Sequence, residues 1–199
     1  DETGKRRTRS WDELRQRVAN LASALERLGI ESGDRVAVWL PNSIEAIEIM
    51  LAAASLGAIF SSCSPDFGAQ GVLDRFTQIS PKVLVATDSY IYGGKKFDCL
   101  ERLATVQNGL PSLRTTLLVS SSKIATQKST TSYETFLESG ASTPVAPRRF
   151  GFDHPWYVLY SSGTTGVPKC IVHRTGGVLL QHLKEHQLHC DIKQNDRVM

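Results

Sequence analysis

Short apolar segments alternate with amphipathic ones along the first 120 residues, and this alternation limits the possible folds more than any other feature of the chain. RVAVWL (35–40), AIFSSCS (58–64), KVLVAT (82–87) and TTLLVS (115–120) have the length and composition of buried strands. Strands that are joined by helical crossovers run parallel. The sequence therefore predicts an α/β fold, a doubly wound and mainly parallel sheet with flanking helices.

The helices between these strands have recognisable ends. Ser10 and Glu13 have the spacing of a capping box, and the helical pattern that follows stops at Gly29. A second helix is predicted to start within residues 42–45 (Asn-Ser-Ile-Glu) and to run to about Gly57. The same periodicity predicts two further helices, at residues 71–80 and at about 97–106.

Residues 121–150 differ in composition from the rest of the chain. They are rich in Ser, Thr, Pro and charged residues, and within them YETFLES (133–139) has a helical pattern. Because the strand pattern resumes at Trp156, we expect an irregular surface connection inside one domain and not a boundary between two domains.

Composition narrows the class of protein. The densest basic run, residues 5–9, lacks the aromatic or repeated basic pattern of nucleic-acid binding, so we expect no nucleic-acid partner. No apolar stretch approaches the roughly 20 residues of a membrane helix, so no membrane span is expected. The four cysteines form no Cys-x-x-Cys pair and indicate a reducing compartment, the cytosol.

The strand WYVLYSS (156–162) leads directly into a loop of glycines and hydroxyls that ends in a lysine. Such loops are often plain turns, but this one lies where α/β sheets bind ligands, at the carboxyl end of a buried strand. Glycines allow backbone N–H groups to approach an anion, hydroxyls add donors, and a lysine adds positive charge. The predicted phosphate-binding residues are Ser161, Ser162, Gly163, Thr164, Thr165, Gly166 and Lys169.

The spacing of this loop excludes three common motifs. Gly163, Gly166 and Lys169 do not fit the P-loop G-x-x-x-x-G-K-S/T, and Cys170 follows the lysine where that motif has Ser or Thr. The loop also lacks the paired glycines of G-x-G-x-x-G and the serine of G-x-S-x-G. A P-loop ATPase, a dinucleotide oxidoreductase and a serine hydrolase are therefore disfavoured.

YSSGTTGVPK (160–169) resembles the signature phosphate loop of the adenylate-forming superfamily, which activates carboxylates with ATP. Residues 12–43 resemble the N-terminal helix–strand unit of the same superfamily, so the resemblance covers nearly the whole chain. It implies that residues 1–199 are a fragment of the large N-terminal AMP-binding domain, without the C-terminal domain, and that the fragment alone is inactive.

The segment from Phe60 to Lys96 is similar to the acetoacetyl-CoA synthetase branch of that superfamily. Acetyl- and propionyl-CoA synthetases usually carry a Gly-Gly-Phe-Ser-Pro type of segment where this chain has residues 64–68. The resemblance implies ligation of acetoacetate to coenzyme A through an acyl-adenylate, with release of pyrophosphate and AMP. Another short-chain acyl-CoA synthetase, such as acetyl-CoA synthetase, is the alternative.

The resemblance also implies roles for the loop. Residues 161–166 would surround the β- and γ-phosphates of ATP, with Thr165 and Lys169 as the catalytic residues and Mg²⁺ bridging the phosphates. The carboxylate ligand of that Mg²⁺ is expected outside this chain. Cys170 departs from the Gly or Ala usual in the superfamily and adds bulk beside the loop, and Arg174-Thr175 replaces the common Ser-His.

A rival motif lies on the last predicted helix. His182-x-x-Glu185-His186 matches the inverted zinc-peptidase signature H-x-x-E-H, in which two imidazoles one helical turn apart bind Zn²⁺. The alternative interpretation is a mildly polar packing stripe along the helix. A third ligand is expected downstream, where Asp191 and Asp196 are poor candidates, so a zinc metallopeptidase is the distant alternative.

Overall fold

The computed structural model describes residues 4, 6–120, 130–141, 145–161 and 166–198. Its helices are α1 (Trp11–Arg27), α2 (Ile44–Leu56), α3 (Ala69–Phe76), α4 (Leu100–Asn108), α5 (Tyr133–Ser139) and α6 (Thr175–Lys184), followed by a π-helical turn (Glu185–His189). Its strands are β1 (Arg35–Trp39), β2 (Ile59–Cys63), β3 (Val83–Thr87), β4 (Ser89–Tyr92), β5 (Lys95–Asp98), β6 (Thr115–Val119), β7 (Thr130–Ser132), β8 (Pro155–Ser161) and β9 (Lys169–Arg174).

Seven strands form one sheet in the order β7-β6-β3-β1-β2-β8-β9. All neighbouring pairs from β7 to β8 are parallel, and β9 pairs antiparallel with β8. The chain moves from β1 to β2 in one direction and then crosses back to β3 on the other side of β1. The predicted doubly wound, mainly parallel sheet is confirmed.

Helices cover both faces of this sheet. Val36 and Val38 of β1 pack in the same core as α1, α2 and α5, whereas Ala37 and Trp39 pack in the core that contains α3 and α4. Successive side chains of a strand point to opposite faces, so a strand between two helical layers must be apolar at every position. This requirement explains the unbroken apolar runs in the sequence.

The predicted ends of the first two helices are confirmed. The Ser10 hydroxyl accepts from the Glu13 N–H at 3.2 Å, and the Glu13 carboxylate accepts from the Ser10 N–H at 2.7 Å, which completes the capping box. Ser43 caps α2, and Gly57 ends it in the left-handed conformation with φ of +72°. No helix in the described part of the chain is long and apolar enough to cross a membrane.

Two elements lie in the described residues of the connection at 121–150. YETFLES forms α5, as its pattern predicts, and buries Tyr133 and Leu137 in the core beside α1. The three residues before it form β7, which pairs with β6 at the edge of the sheet and was not predicted. Residues 121–129 and 142–144 lie outside the described residues.

Two buried glutamates of α2 anchor the basic N-terminal run. Arg7 donates to both carboxylate oxygens of Glu45, at 2.5 and 2.8 Å. Glu48 is fully buried and accepts from Arg17 Nε at 2.6 Å and from the Tyr133 hydroxyl at 3.1 Å. A second arginine of the run, Arg9, approaches Glu48 to 3.6 Å. Part of the positive charge of this run therefore compensates charges inside the fold.

Candidate phosphate-binding site

The β8–β9 pair frames the glycine- and hydroxyl-rich loop. The two strands are antiparallel, and Ser161 and Lys169 form the last pair of their ladder, so residues 162–168 connect them at its end. This end is also the carboxyl end of β8, which runs parallel to β2. The loop therefore leaves the sheet at the edge where α/β proteins bind ligands.

Three of the predicted phosphate ligands lie within the described residues. Ser161 is half-buried at the end of β8, and Lys169 is exposed at the start of β9. Lys169 makes no ion pair with any residue that the structure describes. Gly166 has φ of +97°, a conformation that side chains rarely adopt. The other predicted ligands, Ser162, Gly163, Thr164 and Thr165, lie outside the described residues.

A cavity of about 750 Å³ lies at the same edge of the sheet, beside the end of β8. It is bounded by the segments that follow β1, β2 and β3, where the order of the strands reverses. Tyr160, the residue before Ser161, contributes to its wall, so the cavity reaches the strand that leads into the loop. Its polar and aromatic lining includes Asp66, Arg75, Tyr90, Tyr92 and Tyr160.

Tyr160 is held in place by a buried serine of the neighbouring strand. The Ser61 hydroxyl donates to the Val158 carbonyl oxygen at 2.8 Å and lies 3.0 Å from the Tyr160 hydroxyl, from which it can accept. Burial raises the pKa of Tyr160 above its ordinary value. The phenol is therefore neutral at physiological pH and can orient a ligand but not act as a base.

The two cysteines near this edge are not poised as nucleophiles. Burial raises the pKa of the Cys63 thiol to about 12. Burial also raises the pKa of Cys170, which lies next to Lys169. Since the thiolate is the reactive form, neither thiol is activated for nucleophilic attack.

The zinc motif does not form a site among the described residues. The rings of His182 and His186 are 6.0 Å apart, and both histidines are exposed. The Glu185 carboxylate accepts a hydrogen bond from Gln181 at 2.6 Å and lies 3.7 Å from Lys184 Nζ. Across the described ranges, no group of three or more His, Cys, Asp or Glu side chains could hold a metal ion. A zinc peptidase is therefore not favoured.

The sheet, with a loop and a cavity at its carboxyl edge, places the chain among the α/β ligand-binding proteins. The profile of the family "AMP-binding enzyme" matches residues 2–199. The chain therefore belongs to the AMP-binding enzyme family.

Within this family, the chain is similar to several acetoacetyl-CoA synthetases. Acetoacetyl-CoA synthetase of Gallus gallus is 48% identical over an alignment 199 residues long, gaps included, that covers 96% of this chain and 30% of that protein. Acetoacetyl-coenzyme A synthetase of Rhizobium meliloti is 48% identical over 192 residues, or 95% of this chain and 30% of that protein. The solved structure of acetoacetyl-CoA synthetase from Streptomyces lividans superposes with a TM-score of 0.92 at 44% identity, over 99% of this chain and 30% of that one. The chain thus spans about 30% of the length of these relatives.

Proposed function

We propose that the full-length protein ligates acetoacetate to coenzyme A. ATP and the acid react to form an acyl-adenylate and pyrophosphate, and the thiol of coenzyme A then displaces AMP. The observation that carries this proposal is the 48% identity to an acetoacetyl-CoA synthetase along 96% of the chain. On this proposal the chain is part of the N-terminal AMP-binding domain, and catalysis requires regions outside it.

In this proposal the loop binds the triphosphate of ATP. Ser161 to Gly166 surround the β- and γ-phosphates with hydroxyl and backbone N–H donors, and the Lys169 ammonium neutralises their charge. Thr165 and Lys169 then stabilise the charge that moves onto the departing pyrophosphate. The absence of an ion pair between Lys169 and any described residue supports this role, because its charge is available to a ligand. Reactions at phosphate depend mainly on such positioning and charge stabilisation.

ATP and coenzyme A are substrates of the proposed reaction, and Mg²⁺ is the expected companion of ATP. The described residues do not form a carboxylate cluster that fits a metal ion. Mg²⁺ is commonly held by substrate phosphates and only one or two carboxylates. In this proposal the carboxylate ligand of Mg²⁺ lies outside this chain, as the family resemblance implies, and we derive no step through the ion.

We propose the cytosol as the compartment and small molecules as the partners. All four cysteines are free, which suits a reducing compartment.

The proposal for the reaction is tested by pyrophosphate release from the full-length protein with ATP, Mg²⁺ and one acid at a time. Release that depends on acetoacetate supports it, whereas release with acetate but not acetoacetate identifies another short-chain acyl-CoA synthetase.

A further inference from the structure

Gln78, in the turn that follows α3, contacts the chain on both sides of Lys169. Its Nε2 donates to the Asp74 carbonyl oxygen at 2.6 Å and to the Pro168 carbonyl oxygen at 2.8 Å. Its Oε1 accepts from the Cys170 thiol at 3.4 Å. A carboxamide has two N–H donors and one carbonyl acceptor, so these contacts use both donors and the acceptor.

The two distant contacts connect α3 to the exit of the loop. Pro168 and Cys170 are 90 and 92 residues away from Gln78 in sequence, and they flank Lys169. Side chains alternate along β9, so Cys170 and Tyr160 lie on the α3 face and Lys169 points to the other face. The backbone of Lys169 is thereby held by two independent sets of contacts, the ladder with Ser161 and the amide of Gln78.

We propose that Gln78 is a positioning residue for the phosphate-binding lysine. By fixing Pro168 and Cys170, it holds the Lys169 backbone where the ammonium meets the triphosphate, and it touches no substrate itself. The inference rests on the proposed function, because it assigns Lys169 to ATP. It also gives a role to Cys170, whose thiol supplies a contact that the Gly or Ala usual at this position cannot make.

The test compares two glutamines at the ends of the same helix. Gln78→Ala removes the contacts to the loop, whereas Gln70→Ala removes a hydrogen bond to the Asp74 side chain and leaves the loop contacts intact. In the full-length protein we expect Gln78→Ala to raise the KM for ATP by about 3- to 10-fold, the effect of losing one or two net hydrogen bonds. The KM for acetoacetate should not change in either variant, and Gln70→Ala should retain the KM for ATP. The Tm of Gln78→Ala should fall by no more than a few degrees, as expected for the loss of one or two net hydrogen bonds.

A second variant removes the donors without removing the side chain. In Gln78→Glu the oxygen that replaces Nε2 faces the carbonyl oxygens of Asp74 and Pro168 and repels them. The KM for ATP should therefore rise at least as much as in Gln78→Ala. Cys170→Ala removes the weakest contact and should have the smallest effect. Wild-type ATP affinity in both Gln78 variants would overturn the proposal.

Amide hydrogen exchange tests the positioning role of Gln78 independently of the proposed ligase reaction. Without any substrate, Gln78→Ala should accelerate exchange at the amides of Gly166, Val167, Lys169 and Cys170, and Gln70→Ala should not. If the wild-type protein releases no pyrophosphate with acetoacetate, the assigned reaction fails, and the Kd for ATP measured by calorimetry replaces the KM. Unchanged exchange in Gln78→Ala, or faster exchange with unchanged ATP affinity, would show that Gln78 does not position the lysine.

Discussion

Lys169 lies directly opposite Ser161 in the β8–β9 ladder, at the point where the loop 162–168 leaves the sheet. Their side chains are on the same face, because directly paired residues of neighbouring strands share a face. A hydroxyl and an ammonium group thus begin and end the loop together. This pairing fixes both ends of the connection 162–168, from which a phosphate-bearing ligand could be held.

Removal of the Lys169 charge should weaken ATP binding. A hydrogen bond to a charged group contributes about 1.5–3 kcal/mol, so Lys169→Gln should raise the Kd for ATP by about 10- to 100-fold. The control is Lys193→Gln, which changes an exposed lysine paired with Asp191 at 2.9 Å. Calorimetric titration of ATP into the full-length variants measures both constants. If the two variants bind ATP with equal affinity, Lys169 does not bind the phosphates of ATP.

Loss of the arginine beside Glu48 should destabilise the fold. Arg17→Leu leaves the fully buried Glu48 carboxylate without its 2.6 Å partner, and removal of one partner of a buried pair costs about 3–5 kcal/mol. Arg15→Ala is the control, because its 2.7 Å pair with Asp12 is exposed and such pairs contribute about 0–1 kcal/mol. Urea unfolding followed by circular dichroism measures the difference. Similar losses for the two variants would mean that Glu48 does not depend on Arg17.

Glu45 should make stability depend on pH in the acid range. Burial alone would raise its pKa, but the hydrogen bonds from Arg7 and the backbone outweigh burial and hold the pKa below its ordinary value of 4.5. The unfolded chain therefore binds a proton at a pH where the folded chain does not. The stabilisation is present above pH 4.5 and is lost as the pH falls through the lowered pKa.

Glu45→Gln removes this titration and should flatten the decline of unfolding free energy below pH 4.5. Glu138→Gln is the control, since Glu138 is exposed at the end of α5 and makes no ion pair within the described ranges. Urea unfolding at a series of pH values gives the slope for each variant. An unchanged slope in Glu45→Gln would show that the Arg7–Glu45 pair does not stabilise the fold through its charge.

Gly140 should tolerate no side chain where α5 ends against α1. A Cβ at this position would lie 1.8 Å from the carbonyl oxygen of Asn20, which is backbone and cannot rotate away. Gly140→Ala should therefore destabilise the fold by about 1–3 kcal/mol or more. Gly177→Ala, in α6 with open space around its Cβ, should stabilise it by about 0.5–1 kcal/mol. Thermal unfolding compares the Tm values of the two variants. Equal Tm values would contradict the close approach of α5 to α1.

Most strands of the main sheet and the helices between them could be predicted from the sequence, because they follow from local patterns. Capping residues such as Ser10 and Ser43 and the stop at Gly57 are short-range signals. The β4–β5 hairpin was not predicted, although its Gly93-Gly94 turn, with both φ values positive, is a typical hairpin signal. Strand β7 has no such signal, since TTS is short and polar and becomes a strand through its pairing with β6.

The phosphate loop could be proposed from sequence because its glycines, hydroxyls and lysine are contiguous. The residues that contact the strands and turns around the loop could not be predicted from sequence, because they come from distant parts of the chain. Ser61 reaches Tyr160 across 99 positions, and Gln78 reaches Pro168 across 90 positions. No periodicity in a single sequence reports such contacts, which arise when β2, α3 and β8 assemble around one edge of the sheet.

Acetoacetate-dependent release of pyrophosphate by the full-length protein is the decisive measurement for the proposed reaction. With ATP, Mg²⁺ and acetoacetate, we expect release that acetate or a long-chain fatty acid does not match, and formation of acetoacetyl-CoA when coenzyme A is added. Lys169→Gln should reduce the release, and Lys193→Gln should not. Release that is independent of acetoacetate would refute the proposed reaction, and an unreduced rate in Lys169→Gln would refute the role of the lysine in it.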